Sequence, residues 1–276
     1  MIIGFLGKGG SGKSTLATEM TRFLHERGDT VLAIDADHNM DLAYNLGFTG
    51  NGPYIGGSFL ALRKLLGVSY NEKTEALFTD GIPAERFSFS APDPYSLSHM
   101  VMLKPRLFLM MSGPQSEEVL YGSHCSHSLA AALKIYLPLL VLAPREYAIV
   151  DEKASVDAVT TGIPTGFDLA VIVMEPREHS IRVAREIARL LDWYDIPHIL
   201  ALNKAQDTED TALVEEAFGY APDLIFPTIA DPLSPEHREA FARIATQAEK
   251  VSVTNETRLL RTARKYQRNQ AHFAGA

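Results

Sequence analysis

The most informative motif of this 276-residue chain lies near its N terminus: Gly7-Lys8-Gly9-Gly10-Ser11-Gly12-Lys13-Ser14-Thr15. It matches the pattern G-x-x-x-x-G-K-[ST], with an apolar run before it at residues 2–6 and a helix-period run after it at residues 16–27. Glycines let such a loop turn its backbone N–H groups toward phosphates, while the lysine reaches the β and γ oxygens and the serine can ligate Mg²⁺. The motif therefore predicts a nucleotide site. Its predicted contacts are Gly9, Gly10, Ser11, Gly12, Lys13, Ser14 and Thr15, with Ser14 also a ligand of Mg²⁺.

The rest of the chain alternates apolar runs with amphipathic segments. The predicted strands are residues 2–6, 31–34, 107–111, 147–150, 169–174, 198–202 and 224–229, and the clearest helices are residues 180–193 and 236–251. Continuous apolar strands separated by helices indicate a parallel sheet that is covered on both faces. We therefore expect one doubly wound, mainly parallel α/β domain with ligands at the carboxyl ends of its strands. Residues 49–98 are the exception, because their glycines and prolines predict an irregular insertion.

Composition restricts the class of protein. Hydrophobic residues make up 46% of the chain and charged residues 22%, as in globular proteins, and no apolar run reaches the roughly 18 residues of a membrane helix. A single cysteine, Cys125, excludes an intrachain disulfide, and the start MIIGFLGKGG lacks the basic region of a signal peptide, so we expect a cytoplasmic protein. The net charge is −8 and only the C-terminal segment is basic, so nucleic acid is not an expected partner.

The position of Lys8, directly after the first glycine, is unusual for such a loop. Residues 8–15 read KGGSGKST. This resembles the motif KGGxGK[ST] of the deviant Walker A ATPases, P-loop NTPases that include the partition and Min ATPases, the nitrogenase iron protein and the nickel-insertion ATPases of carbon monoxide dehydrogenase. The resemblance implies ATP and ADP as ligands, Mg²⁺ as cofactor and ATP hydrolysis as the activity. It also implies an ATP-dependent homodimer in which Lys8 reaches the partner's phosphates, while Lys13 contacts those of its own subunit.

Acidic residues follow the predicted strand at residues 31–34. The chain there reads Asp35-Ala36-Asp37-His38-Asn39-Met40-Asp41. The resemblance implies that Asp37 and Asp41 take the acidic positions of the first switch, near the attacking water and the Mg²⁺ shell. His38 stands where the family has proline. Asp35 is left outside the catalytic set, since it can cap the following segment.

A second carboxylate ends the predicted strand at residues 147–150. Asp151 follows this apolar run as in a Walker B motif, which predicts that it holds Mg²⁺ through water. By resemblance, residues 152–157 form the second switch. The predicted catalytic set is Lys8, Lys13, Asp37, Asp41 and Asp151.

The base of the nucleotide is expected near the last two predicted strands. Asn203-Lys204 follows residues 198–202 and resembles the N-[KR] pair of the family's base-recognition loop, and Pro227 resembles its proline near the base. An asparagine amide can pair with both N6 and N7 of adenine. Gln206 stands where a guanine-reading N-K-x-D sequence has aspartate, so adenine is favoured.

One segment suggests a transition metal. Before the Walker B strand the chain reads Tyr121-Gly122-Ser123-His124-Cys125-Ser126-His127. It resembles the segment of the nickel-insertion ATPases in which a cysteine pair from each subunit binds a metal at the dimer interface. Ser123 occupies the first cysteine position, so His124 or His127 would supply the second ligand beside Cys125. A Zn²⁺ or Ni²⁺ site at the dimer interface is one interpretation, and a chance surface cluster is the other.

Three functions compete. An iron protein of the nitrogenase type is excluded, because its bridging cluster needs two thiolates from each chain. A partition or Min-type ATPase that cycles on a membrane or scaffold is the alternative, supported by a basic helix predicted at about residues 254–270. The apolar face of that helix is thin, so membrane binding is not expected. We favour a homodimeric ATPase that resembles the nickel-insertion ATPases, either a maturation factor for a client metalloenzyme or a divergent relative that has lost the standard metal site.

Overall fold

The computed structural model describes residues 1–71, 76–78, 81–114, 130–228 and 234–274. Strands β1 to β10 are Ile2–Gly7, Thr30–Asp35, Tyr70–Asn71, Ala76–Leu77, Met100–Lys104, Leu107–Met111, Glu146–Asp151, Leu169–Met174, His198–Ala205 and Leu224–Pro227. Helices α1 to α10 are Lys13–Glu26, Asp41–Asn45, Phe59–Leu66, Pro94–His99, Leu133–Leu139, Asp157–Thr160, Glu178–Trp193, Thr208–Phe218, Pro235–Val251 and Asn255–Ala274. A 3₁₀ turn covers Ile163–Gly166.

An eight-stranded sheet forms the centre of the molecule. Its strand order is β10-β9-β8-β1-β7-β2-β6-β5, and all neighbours are parallel except the edge strand β5, which is antiparallel to β6. Every residue of β1, β7 and β8 is buried, as their continuous apolar sequences predict. The predicted doubly wound α/β fold is confirmed. The last predicted strand ends at Pro227, and Ile229 lies outside the described residues.

Helices cover both faces of this sheet. Buried side chains of α1, α2 and α9 pack on one face, and those of α5, α7 and α10 pack on the other. The apolar positions of α7 recur at helical spacing, which is why one side of that helix is buried. Two apolar cores, one on each face, therefore hold the sheet and fix the positions of the strand ends.

The described residues between 49 and 98 contain more regular structure than their sequence predicts. They include α3, α4 and the short antiparallel pair β3–β4. Ile55, Leu62 and Phe89 are completely buried and join the core on the α5 face. Because the apolar residues of this segment follow no clear period, its sequence does not predict these helices and strands. Tertiary packing stabilises them.

The C-terminal helix α10 packs on its own subunit. Arg258 forms an ion pair of 2.9 Å with Asp168, and both side chains are buried. The other oxygen of Asp168 accepts a hydrogen bond from the backbone N–H of Ile2, so this carboxylate connects α10 to β1. None of the helices in the described ranges is long and apolar enough to cross a membrane.

The Arg258–Asp168 ion pair predicts a stability change. Replacing Arg258 with methionine leaves the Asp168 carboxylate buried without its cation, so Arg258→Met should lower the free energy of unfolding by about 3–5 kcal/mol. Urea unfolding measures this change, with Arg264→Met on the exposed side of α10 as the control, expected within about 0.5 kcal/mol of the parent. Equal stability of the two variants would contradict this role of the pair.

Candidate nucleotide site

The loop between β1 and α1 has the conformation that its glycines allow. Gly12 directly precedes α1 with a φ of 93°, in the left-handed region, and a Cβ at this position would lie 2.2 Å from Nδ2 of Asn203. Any larger residue would both strain the backbone and displace that amide. Gly9, Gly10 and Thr15 are exposed, Ser14 is half-buried and Ser11 is buried. The start of α1 therefore faces a surface where phosphate can bind its free N–H groups.

Two side chains at the end of β9 donate hydrogen bonds to this loop. Nδ2 of Asn203 donates a hydrogen bond of 2.8 Å to the carbonyl oxygen of Ser11, and Nζ of Lys204 donates one of 2.9 Å to that of Gly10. Lys204 also forms an ion pair of 2.6 Å with Glu175, directly after β8. The predicted base-recognition pair is thus in direct contact with the phosphate-binding loop.

The two lysines of the loop differ in their surroundings. Lys13 is buried, with 7% of its surface exposed, and its positive charge opposes the rise that burial causes in the pKa of Asp151. Lys8 is only half-buried, and its side chain forms neither a hydrogen bond nor an ion pair with any described residue. Lys13 therefore lies in the interior of this subunit, whereas Lys8 can bind a negatively charged group from outside the subunit.

Asp151 fits the predicted Mg²⁺ site. It ends β7, is completely buried, and neither of its carboxylate oxygens has a hydrogen-bond partner of normal geometry among the described residues. Burial raises its pKa to about 6, and the charge of Lys13 and the hydroxyl of Ser14 oppose this shift. A buried carboxylate with unpartnered oxygens beside a serine hydroxyl suits a hard cation such as Mg²⁺.

The first switch brings further acids to the same place. Asp37 is buried and Asp41 begins α2, and the negative charges of both raise the pKa of Asp151. Asp35 caps the segment that joins β2 to α2, since its carboxylate accepts hydrogen bonds from the N–H groups of Asp37 and Ala43. Burial, together with the charge of Asp151, raises the pKa of Asp35 to about 8.

Two further acidic residues lie near the site: Glu152, which the resemblance places in the second switch, and Glu175, which the sequence reasoning missed. Glu152 is completely buried, neither carboxylate oxygen has a hydrogen-bond partner of normal geometry in the described part of the chain, and burial raises its pKa to about 8. Glu175 binds Lys204. Both directly follow buried strands, the same signal that identifies Asp151, so this position in the sequence also predicts Glu175.

The remaining predicted contacts stay predictions. The Pro227 carbonyl oxygen, at the end of β10, lies 3.2 Å from Nε2 of His237, and neither it nor Asn203 is shown to contact a base. Cys125, with Ser123, His124 and His127, lies outside the described residues. Within the ranges that are described, no cluster of three or more histidine, cysteine, aspartate or glutamate side chains could hold a metal ion.

Comparison with known proteins agrees with this geometry. Residues 2–273 match the CobQ/CobB/MinD/ParA nucleotide binding domain. An uncharacterised ATP-binding protein of Methanocaldococcus jannaschii is 26% identical over 216 residues, 78% of this chain and 83% of that protein. The carbon monoxide dehydrogenase accessory protein CooC of Rhodospirillum rubrum is 29% identical over 220 residues, 78% of each chain. The septum site-determining protein MinD of Pyrococcus horikoshii, complexed with Mg-ADP, has a TM-score of 0.57 over 91% of this chain and 95% of its own, at 16% identity, a likeness of fold alone.

The contact between Asn203 and the loop predicts how a variant binds nucleotides. Asn203→Ala removes a hydrogen bond worth about 1 kcal/mol, so it should weaken binding of ATP and GTP alike, by about fivefold. Calorimetric titration of both nucleotides tests this, with the exposed Asn51→Ala as the control. A loss confined to ATP would instead indicate that Asn203 reads the base.

The buried carboxylates predict a dependence of stability on pH. The pKa values of Asp35, Asp151 and Glu152 are raised to about 8, 6 and 8, so the folded protein holds protons that the unfolded chain releases above about pH 4. Their contribution is complete below the unfolded pKa values and is lost as the pH rises through the folded ones. Without nucleotide or metal ions, the free energy of unfolding should fall between about pH 5 and about pH 8.

The variant Glu152→Gln should reduce that fall, because glutamine releases no proton. Urea unfolding in the presence of EDTA at both ends of this pH range measures it, and Glu178→Gln on the surface of α7 is the control. An unchanged pH dependence in Glu152→Gln would refute a raised pKa for this carboxyl group.

Proposed function

Because the chain belongs to the CobQ/CobB/MinD/ParA nucleotide-binding family and is an ATPase of its MinD/ParA type, we propose that it acts as a homodimeric, ATP-driven switch in metallocentre maturation. ATP binding would close the dimer and hydrolysis would reopen it. The γ-phosphate, present in ATP and absent from ADP, supplies the difference in binding that such a switch requires.

The different placement of two lysines supports this proposal most directly. Lys13 is buried beside Asp151 and is positioned to act within its own subunit. Lys8 lies on the same loop, half-buried and without a partner among the described residues. In a dimer joined face to face at this loop, Lys8 would meet the phosphates of the partner subunit. A cation supplied in this way stabilises the charge that develops on the transferred phosphoryl group.

The acids near Lys13 have distinct roles in the proposed cycle. Asp151 and Ser14 would hold Mg²⁺, which when bound neutralises charge on the phosphate oxygens. Asp37 and Asp41, on the first switch, would orient the attacking water. Glu152 starts the second switch directly after Asp151, so a change at the phosphates can be passed to residues 152–157.

The metallocentre role rests on the CooC relative. That protein is named as an accessory protein of carbon monoxide dehydrogenase, and its match covers 78% of this chain. We infer a related role toward a client metalloenzyme. Cys125, helped by His124 or His127, would bind Zn²⁺ or Ni²⁺ with its counterpart from the second subunit, since a two-fold axis doubles two ligands into four.

A partition or Min-type role on a membrane has less support. The basic helix was its support in the sequence, but three cations of α10 form contacts within the subunit. Arg258 pairs with Asp168, Arg261 donates to the carbonyl of Phe167, and Lys265 donates to that of Thr160. Leu259, on the apolar face, is completely buried. Leu260, on the same face, is 42% exposed, so packing within the subunit covers only part of that face.

Substitution of the two lysines tests the switch. Lys13→Ala should abolish ATP binding, because a buried contact to the phosphates within the subunit is lost. Lys8→Ala should bind ATP nearly as well as the parent and hydrolyse it roughly 10³-fold more slowly or worse. Equilibrium binding and phosphate release measure the two effects, with the exposed Lys250→Ala as the control. Hydrolysis by Lys8→Ala at the parental rate would refute a role in trans.

The metal site has its own test. The dimer with a non-hydrolysable ATP analogue should bind one Zn²⁺ or Ni²⁺, and Cys125→Ala should not. Binding should weaken as the pH falls below about 6.5, since protonated histidine does not ligate metals. Metal titration followed by equilibrium dialysis decides this, with Ser126→Ala as the control. No stoichiometric metal in the parent, or equal binding by Cys125→Ala, removes the metal role and leaves the ATPase switch intact.

A further inference from the structure

A cavity at the opposite end of the sheet from the phosphate-binding loop is lined by residues that could bind an anion. It lies between α10 and the turn that joins α7 to β9, at the amino ends of the strands, and has a volume of about 180 Å³. Its lining includes Tyr194, Asp195, Leu260, Arg261, Arg264 and Arg268. Three arginines therefore surround one aspartate, in a space smaller than the pockets of drug-sized ligands.

The acidic groups near this cavity are already paired. Asp195 accepts a hydrogen bond from Arg268, whose guanidinium also donates to the carbonyl oxygen of Trp193. The nearby carboxylate of Asp168 is paired with Arg258. Two guanidinium groups in the lining, those of Arg261 and Arg264, consequently have no carboxylate of their own among the described residues.

Arg261 is the more buried of these two cations. One of its nitrogens donates a hydrogen bond of 2.9 Å to the carbonyl oxygen of Phe167, a neutral acceptor. Burial lowers its pKa; the charges of Asp168 and Asp195 oppose this shift, and that of Arg258 adds to it. The positive charge of Arg261 is therefore less stabilised by its surroundings than the charge of a surface arginine in water. An anion in the cavity would stabilise it.

Arg264 lies one turn further along α10. Its side chain is exposed and has no hydrogen bond or ion pair with any residue in the described part of the chain. Residues three apart on a helix are neighbours, so Arg261 and Arg264 can approach the same ligand from one side. Guanidinium groups bind phosphate oxygens in a bidentate manner, which lysines do not.

The geometry points to a binding site for a small phosphate dianion, as inorganic phosphate or the phosphate group of a small metabolite, held between Arg261 and Arg264. Tyr194 and Leu260 provide an apolar wall beside these charges. The site is separate from the nucleotide site and does not depend on the proposed switch. A ligand bound there would join α10 to the end of α7, so binding should also stabilise the docked helix.

Inorganic phosphate is the probe, and the nucleotide site must first be filled. The full-length protein is loaded with Mg²⁺ and a non-hydrolysable ATP analogue, excess analogue is removed, and phosphate is titrated calorimetrically at constant ionic strength. We expect one saturable equivalent per chain. Arg264→Gln should weaken binding about tenfold, since a charged hydrogen bond is lost. The control Arg185→Gln, an exposed arginine on α7, should bind as the parent does.

Other outcomes overturn the proposal. Absence of saturable binding, or equal losses in Arg264→Gln and Arg185→Gln, would mean that the cavity does not select phosphate. Arg261→Gln, whose folding is checked by its unfolding midpoint, should lose binding as well. Vesicles of phosphatidylcholine with and without phosphatidic acid separate the two sources of a phosphate group. If the protein bound phosphatidic acid vesicles in an Arg264-dependent manner but did not bind inorganic phosphate, the site would be a membrane contact and the proposal of a free anion would be wrong.

Discussion

The hydrogen bonds from Asn203 and Lys204 to the carbonyls of Ser11 and Gly10 are the constraint on which the nucleotide site depends. They hold two carbonyls of the loop against the end of β9, which leaves the N–H groups at the start of α1 for phosphate. Gly12 is needed for the same reason, because a side chain there would occupy the position of the Asn203 amide. Through Glu175 the constraint extends to β8, so the loop and two strand ends form one unit.

Negative charge is the second feature of this region. Asp35 and Asp151 end the neighbouring strands β2 and β7, and Glu152 follows, all three buried. Their raised pKa values express the cost of burying carboxylates together, and a nucleotide triphosphate adds more negative charge. Lys13 and Lys153 are cations that the subunit itself buries there, beside Asp151 and Glu152 respectively. In the proposed switch, Mg²⁺ and Lys8 of a second subunit would supply further positive charge, which would couple ATP binding to dimerisation.

Much of the fold and of the nucleotide site could be predicted from the sequence. Continuous apolar strands and the glycine-rich loop have local signals, and the strand ends bring Lys13, Asp37 and Asp151 together as parallel topology requires. The packing of residues 49–98 could not be predicted, because Ile55, Leu62 and Phe89 are buried by long-range contacts without a local period. The ion pair between Arg258 of α10 and Asp168 could not be predicted for the same reason. The sequence of a basic helix does not indicate whether its cations face solvent or contact other parts of the subunit.

The proposed switch requires that ATP close a dimer through Lys8. Sedimentation equilibrium of the parent protein and of Lys8→Ala, each with Mg²⁺ and either a non-hydrolysable ATP analogue or ADP at equal protein concentration, tests it most directly. We expect a dimeric mass for the parent with the analogue, a lower mass with ADP, and a much smaller difference for Lys8→Ala. Identical mass distributions of the parent with the two nucleotides would contradict it.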